Sequence, residues 1–221
     1  MLFEQISNNI ALNIAKALGM DKDRQEVIAY GAYILLDTLL SIGMVMLFGA
    51  IFGVFYQALV VSFAAALFRK TSGGAHATTP VRCATIFAIV SVVLALIIEN
   101  LEIWFNNPII IIYLIITFVI SYLIVLKLAP KDSPNKPIVK EAKIKELKAK
   151  SFRTLYIYVI ICLVILAFGY YTRATNLLPY IPLICTGYLW QAFTLTSFGH
   201  TAISIMELPF RYIKLTGGEN L

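Results

Sequence analysis

Six stretches of this chain, near residues 27–47, 50–68, 84–98, 108–128, 154–172 and 179–198, run apolar over lengths at or near those needed to cross a bilayer. A hydrocarbon core takes about 20 mostly apolar residues per helix. Composition points the same way. Of 221 residues, 60% are apolar and 14% charged, against roughly 45–50% apolar in an ordinary soluble domain. So few charges cannot clothe a water-facing surface, and a soluble domain, a disordered chain and a disulfide scaffold are excluded. The cysteines Cys83, Cys162 and Cys185 are odd in number and far apart, so they form neither a cystine framework nor a CxxC site. The expected fold is all-α: one integral-membrane domain over 1–221 with about six transmembrane helices.

The first two runs are nearly continuous, broken only by Gly43, Gly49 and Gly53, and read as a helical hairpin. The third is short and is expected to begin before Cys83, in the interface; a re-entrant course there would lower the number of crossings. Residues 1–26 carry acids and an apolar stripe at helical spacing, Leu2, Phe3, Ile6, Ile10, Ile14, Ala17 and Leu18. That pattern predicts an interfacial helix lying on the membrane, not a signal peptide.

Positive charge sets the orientation. With the N-terminus cytoplasmic and six alternating helices, all 18 Lys and Arg residues except Arg173 fall inside. Both termini are then cytoplasmic. The net charge of +6 therefore belongs to a membrane surface, and no nucleic-acid partner is expected. Half of the basic residues lie in a loop over 127–153. Pro130, Pro134 and Pro137 forbid a regular helix in its first part, whereas 138–150 could form a short basic helix. Such a loop suits anionic lipid and equally an acidic partner peptide.

One segment departs from the apolar pattern: RKTSGGAHATTPVRC, residues 69–83, placed on the cytoplasmic side. His76 and Cys83 are seven residues apart, about 10 Å along an unbroken helix, so on one helix they could not touch. Thr79 is a good N-cap and Pro80 suits the first helical position, which predicts a helix starting here. With Gly73-Gly74 folding the loop back, His76 could then reach Cys83. The first turn of that helix, Arg82 and a protonated His76 would all favour the Cys83 thiolate. Free amides of that turn, with those of Gly73 and Gly74, could hold an oxyanion. A Cys–His pair with an oxyanion site is the minimum for acyl transfer through a thioester. The plain alternative is a small apolar filler thiol beside an interfacial histidine.

This run, with Arg69, Gly74, His76 and Cys83 in this order, resembles the accessory gene regulator B family of bacterial membrane endopeptidases. The basic proline loop Ala129-Pro130-Lys131-Asp132-Ser133-Pro134-Asn135-Lys136-Pro137-Ile138 adds to the likeness, which extends over most of the chain. The resemblance implies Cys83 as nucleophile and His76 as general base, then acid. It gives Arg69 and Gly74 a part in shaping the loop or positioning substrate, and the adjacent Lys70 and Gly73 are candidates for the same part. The implied substrate is a quorum-sensing pro-peptide with an amphipathic leader and an acidic C-terminal tail. Cleavage before the tail would leave an acyl-thioester that closes to a thiolactone or lactone. A homodimer in the bacterial cell membrane, working without a cofactor, is also implied.

Other polar residues have plainer readings. Asp37 lies about 15 Å deep in the first span, where an acid is costly and by default functional; it either orients His76 or makes a helix-packing hydrogen bond. Gln57 and Gln191 are expected to bridge helices. His200 is read as an interface residue at the inner end of the last span, and Cys162 and Cys185 as packing thiols. With no HExxH and only two distant histidines, no metal site is expected. The competing class is a small polytopic transporter or peptide exporter, whose polar residues would gather at the midplane.

Overall fold

A computed structural model describes residues 2–101, 107–131, 141–173 and 175–212. Its helices are α1 (Leu2–Leu18), α2 (Lys22–Ile51), α3 (Phe55–Ser72), α4 (Pro80–Leu101), α5 (Asn107–Leu128), α6 (Glu141–Thr172), α7 (Tyr180–Phe193) and α8 (Ser197–Tyr212), with a short 3-10 turn at Thr175–Leu177 before α7. The fold is all-α, as the apolar runs predict.

Four helices, α2, α4, α5 and α6, are long and apolar enough to cross a membrane. The other two expected spans are shorter. The 18 residues of α3 and the 14 of α7 amount to roughly 27 and 21 Å of helix. They sit at the centre of the bundle, where their neighbours shield them. One core cluster joins Ala64 and Phe68 of α3 to α5, α6 and α7. A second joins Ala58 and Val61 of α3 to Val45 of α2 and Ala88 and Val92 of α4. Small residues let α3 and α7 approach closely: a Cβ on Gly187 would lie 2.6 Å from the Val61 carbonyl oxygen. Interhelical hydrogen bonds add to the packing, among them Tyr158 to the Ala64 carbonyl at 2.7 Å and Thr117 with Tyr188 at 2.7 Å.

The hairpin turns at Phe52–Val54, where Gly53 takes a positive φ of 74°. In α1 the buried face is Ser7, Ala11 and Ala15, packed toward α2, while Ile6, Ile10, Ile14 and Leu18 stay exposed. The apolar stripe thus points away from the protein, as a helix resting on lipid requires.

Two boundaries differ from the sequence reading. The C-terminal part of the basic stretch is no separate short helix, because α6 runs unbroken from Glu141 to Thr172; the prolines Pro134 and Pro137 lie outside the described residues. The run over 179–198 is also not one helix. It ends at Phe193, turns over 194–196, and restarts as α8, capped by Thr196, whose hydroxyl accepts from Gly199 N–H at 3.1 Å. His200 therefore belongs to a separate helix rather than to the end of a span.

Candidate active site

Sequence builds the head of α4 as expected. Thr79 caps it, accepting from Arg82 N–H at 3.3 Å, and the first backbone bond runs from Cys83 N–H to the Thr79 carbonyl at 2.9 Å. Cys83 is half-buried in the following turn. It lines a small pocket with Arg69, Ala75, Ala77, Trp190 and Ile203. A cavity of about 440 Å³ lies at the opposite end of the bundle beside Gln57, Glu99 and Tyr180. It holds neither a cysteine nor a histidine, so size alone does not locate the chemistry.

Arg69 is the hub. Its guanidinium donates to the Ala75 carbonyl, tying the end of α3 to the residue before His76. It lies within electrostatic reach of Cys83, Asp37 and His76. Lys70, its neighbour, is exposed.

The glycine pair clamps the loop. Gly73 and Gly74 have φ of 71° and 135°, a region L side chains avoid. Gly73 pairs with Lys131 in a short bridge, with Lys131 N–H donating to the Ser72 carbonyl at 2.9 Å. Gln191 donates to the Gly73 carbonyl at 2.6 Å and to Ser72 Oγ at 3.2 Å. Ala75 N–H reaches the Thr194 carbonyl at 3.2 Å. Gln57 bridges as well, donating to Glu99 at 2.8 Å. Both glutamines are therefore bridging residues.

Several expectations about the chemistry are corrected here. Most donors imagined for an oxyanion are already engaged: Gly73 N–H caps α3 at the Arg69 carbonyl, and Arg82 and Cys83 N–H both go to Thr79. Pro80 has none, which leaves Gly74 and Val81. Arg82 is committed to Glu207 at 3.3 Å. His76 is not protonated at neutral pH. The protein around it, then Arg69, then His200, lower its pKa to about 4. His76 is exposed along one side, and the direction of the shift comes from burial of the remainder first and from Arg69 and His200 after it. Among the described residues, no hydrogen bond joins His76 to Cys83; the two side chains share Arg69 rather than each other. Asp37 faces Arg69 as a counter-charge, and its Oδ1 makes no hydrogen bond among the described residues.

Two residues of α8 join this region: Glu207, which the sequence reading does not single out, and His200, read there only as an interface residue. Glu207 is 2% exposed and binds Thr78 and Arg82. His200 lies within electrostatic reach of His76, Arg69 and Lys131. Spacing could have flagged them, since Gly199, Ile203 and Glu207 recur every four residues and form the buried face of α8.

The family model for accessory gene regulator B matches residues 7–195. The chain belongs to the accessory gene regulator B family. Two AgrB-like proteins of Clostridium perfringens bear this out. That of strain 13 / Type A is 34% identical over 207 residues, covering 93% of this chain and 97% of the relative. That of strain SM101 / Type A is 34% identical over 210 residues, with the same shares covered. No solved structure matches the chain. The AgrB family match spans α2 through α7 and most of α1, so it takes in the 69–83 loop and its clamp, and it stops short of α8.

Proposed function

We propose that this chain is a multi-pass membrane cysteine endopeptidase of accessory gene regulator peptide processing, with its site at the cytoplasmic face. The Cys83 thiolate attacks the carbonyl carbon of the bond before the acidic tail, forming a C–S bond. The C–N bond then breaks, and the proton that His76 took from the thiol passes to the leaving amine. The remaining acyl-thioester is transferred to a thiol or hydroxyl of the same peptide, closing the ring in preference to hydrolysis while water is kept out.

The observation that carries this reading is that Arg69 lies within reach of both Cys83 and His76 at the head of α4, while Cys162 and Cys185 are wholly buried. A neutral His76 suits a general base. The basic turns at the start of α6, with Lys143, Lys145, Lys148 and Lys150, fit an acidic tail in sign. A transporter is less well supported, because apart from Asp37 the polar cluster gathers at the helix ends.

The test is direct. The full chain is reconstituted in vesicles with a precursor peptide carrying an amphipathic leader, a central cysteine and an acidic tail, and products are read by mass spectrometry. Cys83→Ala is expected to abolish tail release. Wild-type rates from that variant would end the proposal.

A further inference from the structure

A buried acid needs partners, since an unpaired carboxylate away from water is costly. Glu207 finds them across 129 residues of sequence. Its Oε1 accepts from Thr78 N–H at 3.0 Å, from the Thr78 hydroxyl, and from Arg82 at 3.3 Å. Arg82 donates in turn to Thr78 Oγ1 at 3.0 Å. Thr78 stands two residues after His76, and Arg82 immediately precedes Cys83. One carboxylate thus grips the chain on both sides of the Thr79–Pro80 helix start.

Among the described residues, Glu207 supplies the side-chain hold on that side of the loop. The loop's α3 end is fixed by Arg69, Gln191 and Thr194, all before Ala77. Between Ala77 and the head of α4, the described tertiary hydrogen bonds are those to Glu207. The opposite face of α8 exposes Phe198, Ile205 and Leu208, an apolar surface suited to lipid, while its inner face holds the loop.

We propose that Glu207 is a positioning residue for peptide cleavage: it touches no reacting atom, and it holds residues 78–82 in the shape that lets His76 meet the Cys83 thiol. The inference rests on the endopeptidase reading. It places a determinant of the site beyond residue 195, where the family match ends.

The experiment uses the full chain in vesicles with the precursor described above, comparing Glu207→Ala, Glu207→Gln and Cys83→Ala. Glutamine keeps an acceptor for Thr78; alanine keeps nothing. Glu207→Ala is expected to lower kcat at least tenfold with KM changed less than threefold. The acid limb of its pH profile should move toward pH 6.5 as His76 leaves the crowding of Arg69 and His200. Glu207→Gln should recover to within about threefold of wild type. Iodoacetamide at neutral pH should label Cys83 in Glu207→Ala at a rate at least threefold different from wild type, with Cys162 and Cys185 still protected. Wild-type kinetics and labelling in Glu207→Ala would overturn the inference. So would equal losses in both Glu207 variants together with labelling of Cys162 and Cys185, because α8 would then serve only to hold the fold. If Cys83→Ala cleaves normally, the endopeptidase reading fails instead, and the iodoacetamide rates still decide whether Glu207 shapes the loop.

Discussion

The Arg69 guanidinium donates to the carbonyl oxygen of Ala75, the residue immediately before His76. Lysine can donate to a carbonyl, but its ammonium stands on a shorter, more flexible stem and does not place the donor and the charge where the guanidinium does. Arg69→Lys is expected to insert normally and to lower tail release by roughly ten- to a hundredfold, the worth of a charged hydrogen bond at about 1.5–3 kcal/mol. Quantitative mass spectrometry of the released tail checks this. A variant within twofold of wild type would show the bond to be incidental.

Gly73 and Gly31 make a controlled pair. A Cβ at Gly73 would collide with the Lys131 carbonyl oxygen at a φ of 71°, whereas one at Gly31 meets nothing within 4 Å. Gly73→Ala should therefore cost about 1–3 kcal/mol of strain and remove processing. Gly31→Ala, inside α2, should raise helix stability by up to about 1 kcal/mol and leave processing alone. Melting in detergent beside the processing assay separates the two effects.

Much of this was legible because it is local. Thr79-Pro80 announces the start of α4, the glycines Gly43, Gly49 and Gly53 a hairpin whose turn the structure places at the last of them, and the spacing of Ile6, Ile10 and Ile14 the exposed face of α1. What stayed hidden depends on contacts far apart in sequence. The break between α7 and α8 lies inside a continuous apolar run. It is secured by Ala75 N–H on Thr194 and by Gly199, where a Cβ would lie 2.7 Å from Thr194 Cα. The four-residue spacing of Gly199, Ile203 and Glu207 could mark the acid as inward-facing, but its partners Thr78 and Arg82 lie too far away in sequence to be read from it. The glycine pair was legible as a loop device, but its use as a clamp depends on Lys131 and Gln191, which no spacing rule connects to it.

The state of His76 sets an expectation for pH. Its folded pKa, about 4, lies below the ordinary 6.5, so the neutral base persists as pH falls through 6. The acid limb of kcat/KM assigned to His76 should accordingly lie well below pH 6.5. Stability carries the same sign. Between pH 4 and 6.5 the unfolded chain binds more protons at this site than the folded one, so the His76 contribution to stability is present above pH 6.5 and is lost as pH falls toward 4. An acid limb centred at 6.5 would contradict the burial of this ring and the charges of Arg69 and His200 beside it.

The three thiols should separate by exposure. Cys83 is half-buried at the pocket, while Cys162 and Cys185 are 0% exposed in the cluster with Tyr158 and Tyr188. A thiol alkylator applied to the folded chain at neutral pH should therefore label Cys83 first and stop processing in proportion to labelling. Cys162→Ala and Cys185→Ala remove a buried sulfur and should cost about 1 kcal/mol of stability each, a small core truncation, with tail release unchanged. Cys83→Ser should fail, since the hydroxyl is a far weaker nucleophile without a base hydrogen-bonded to it. Peptide mapping of the alkylated protein gives the order of labelling. Equal modification of all three, or loss of processing in either buried-thiol variant, would move the nucleophile away from Cys83.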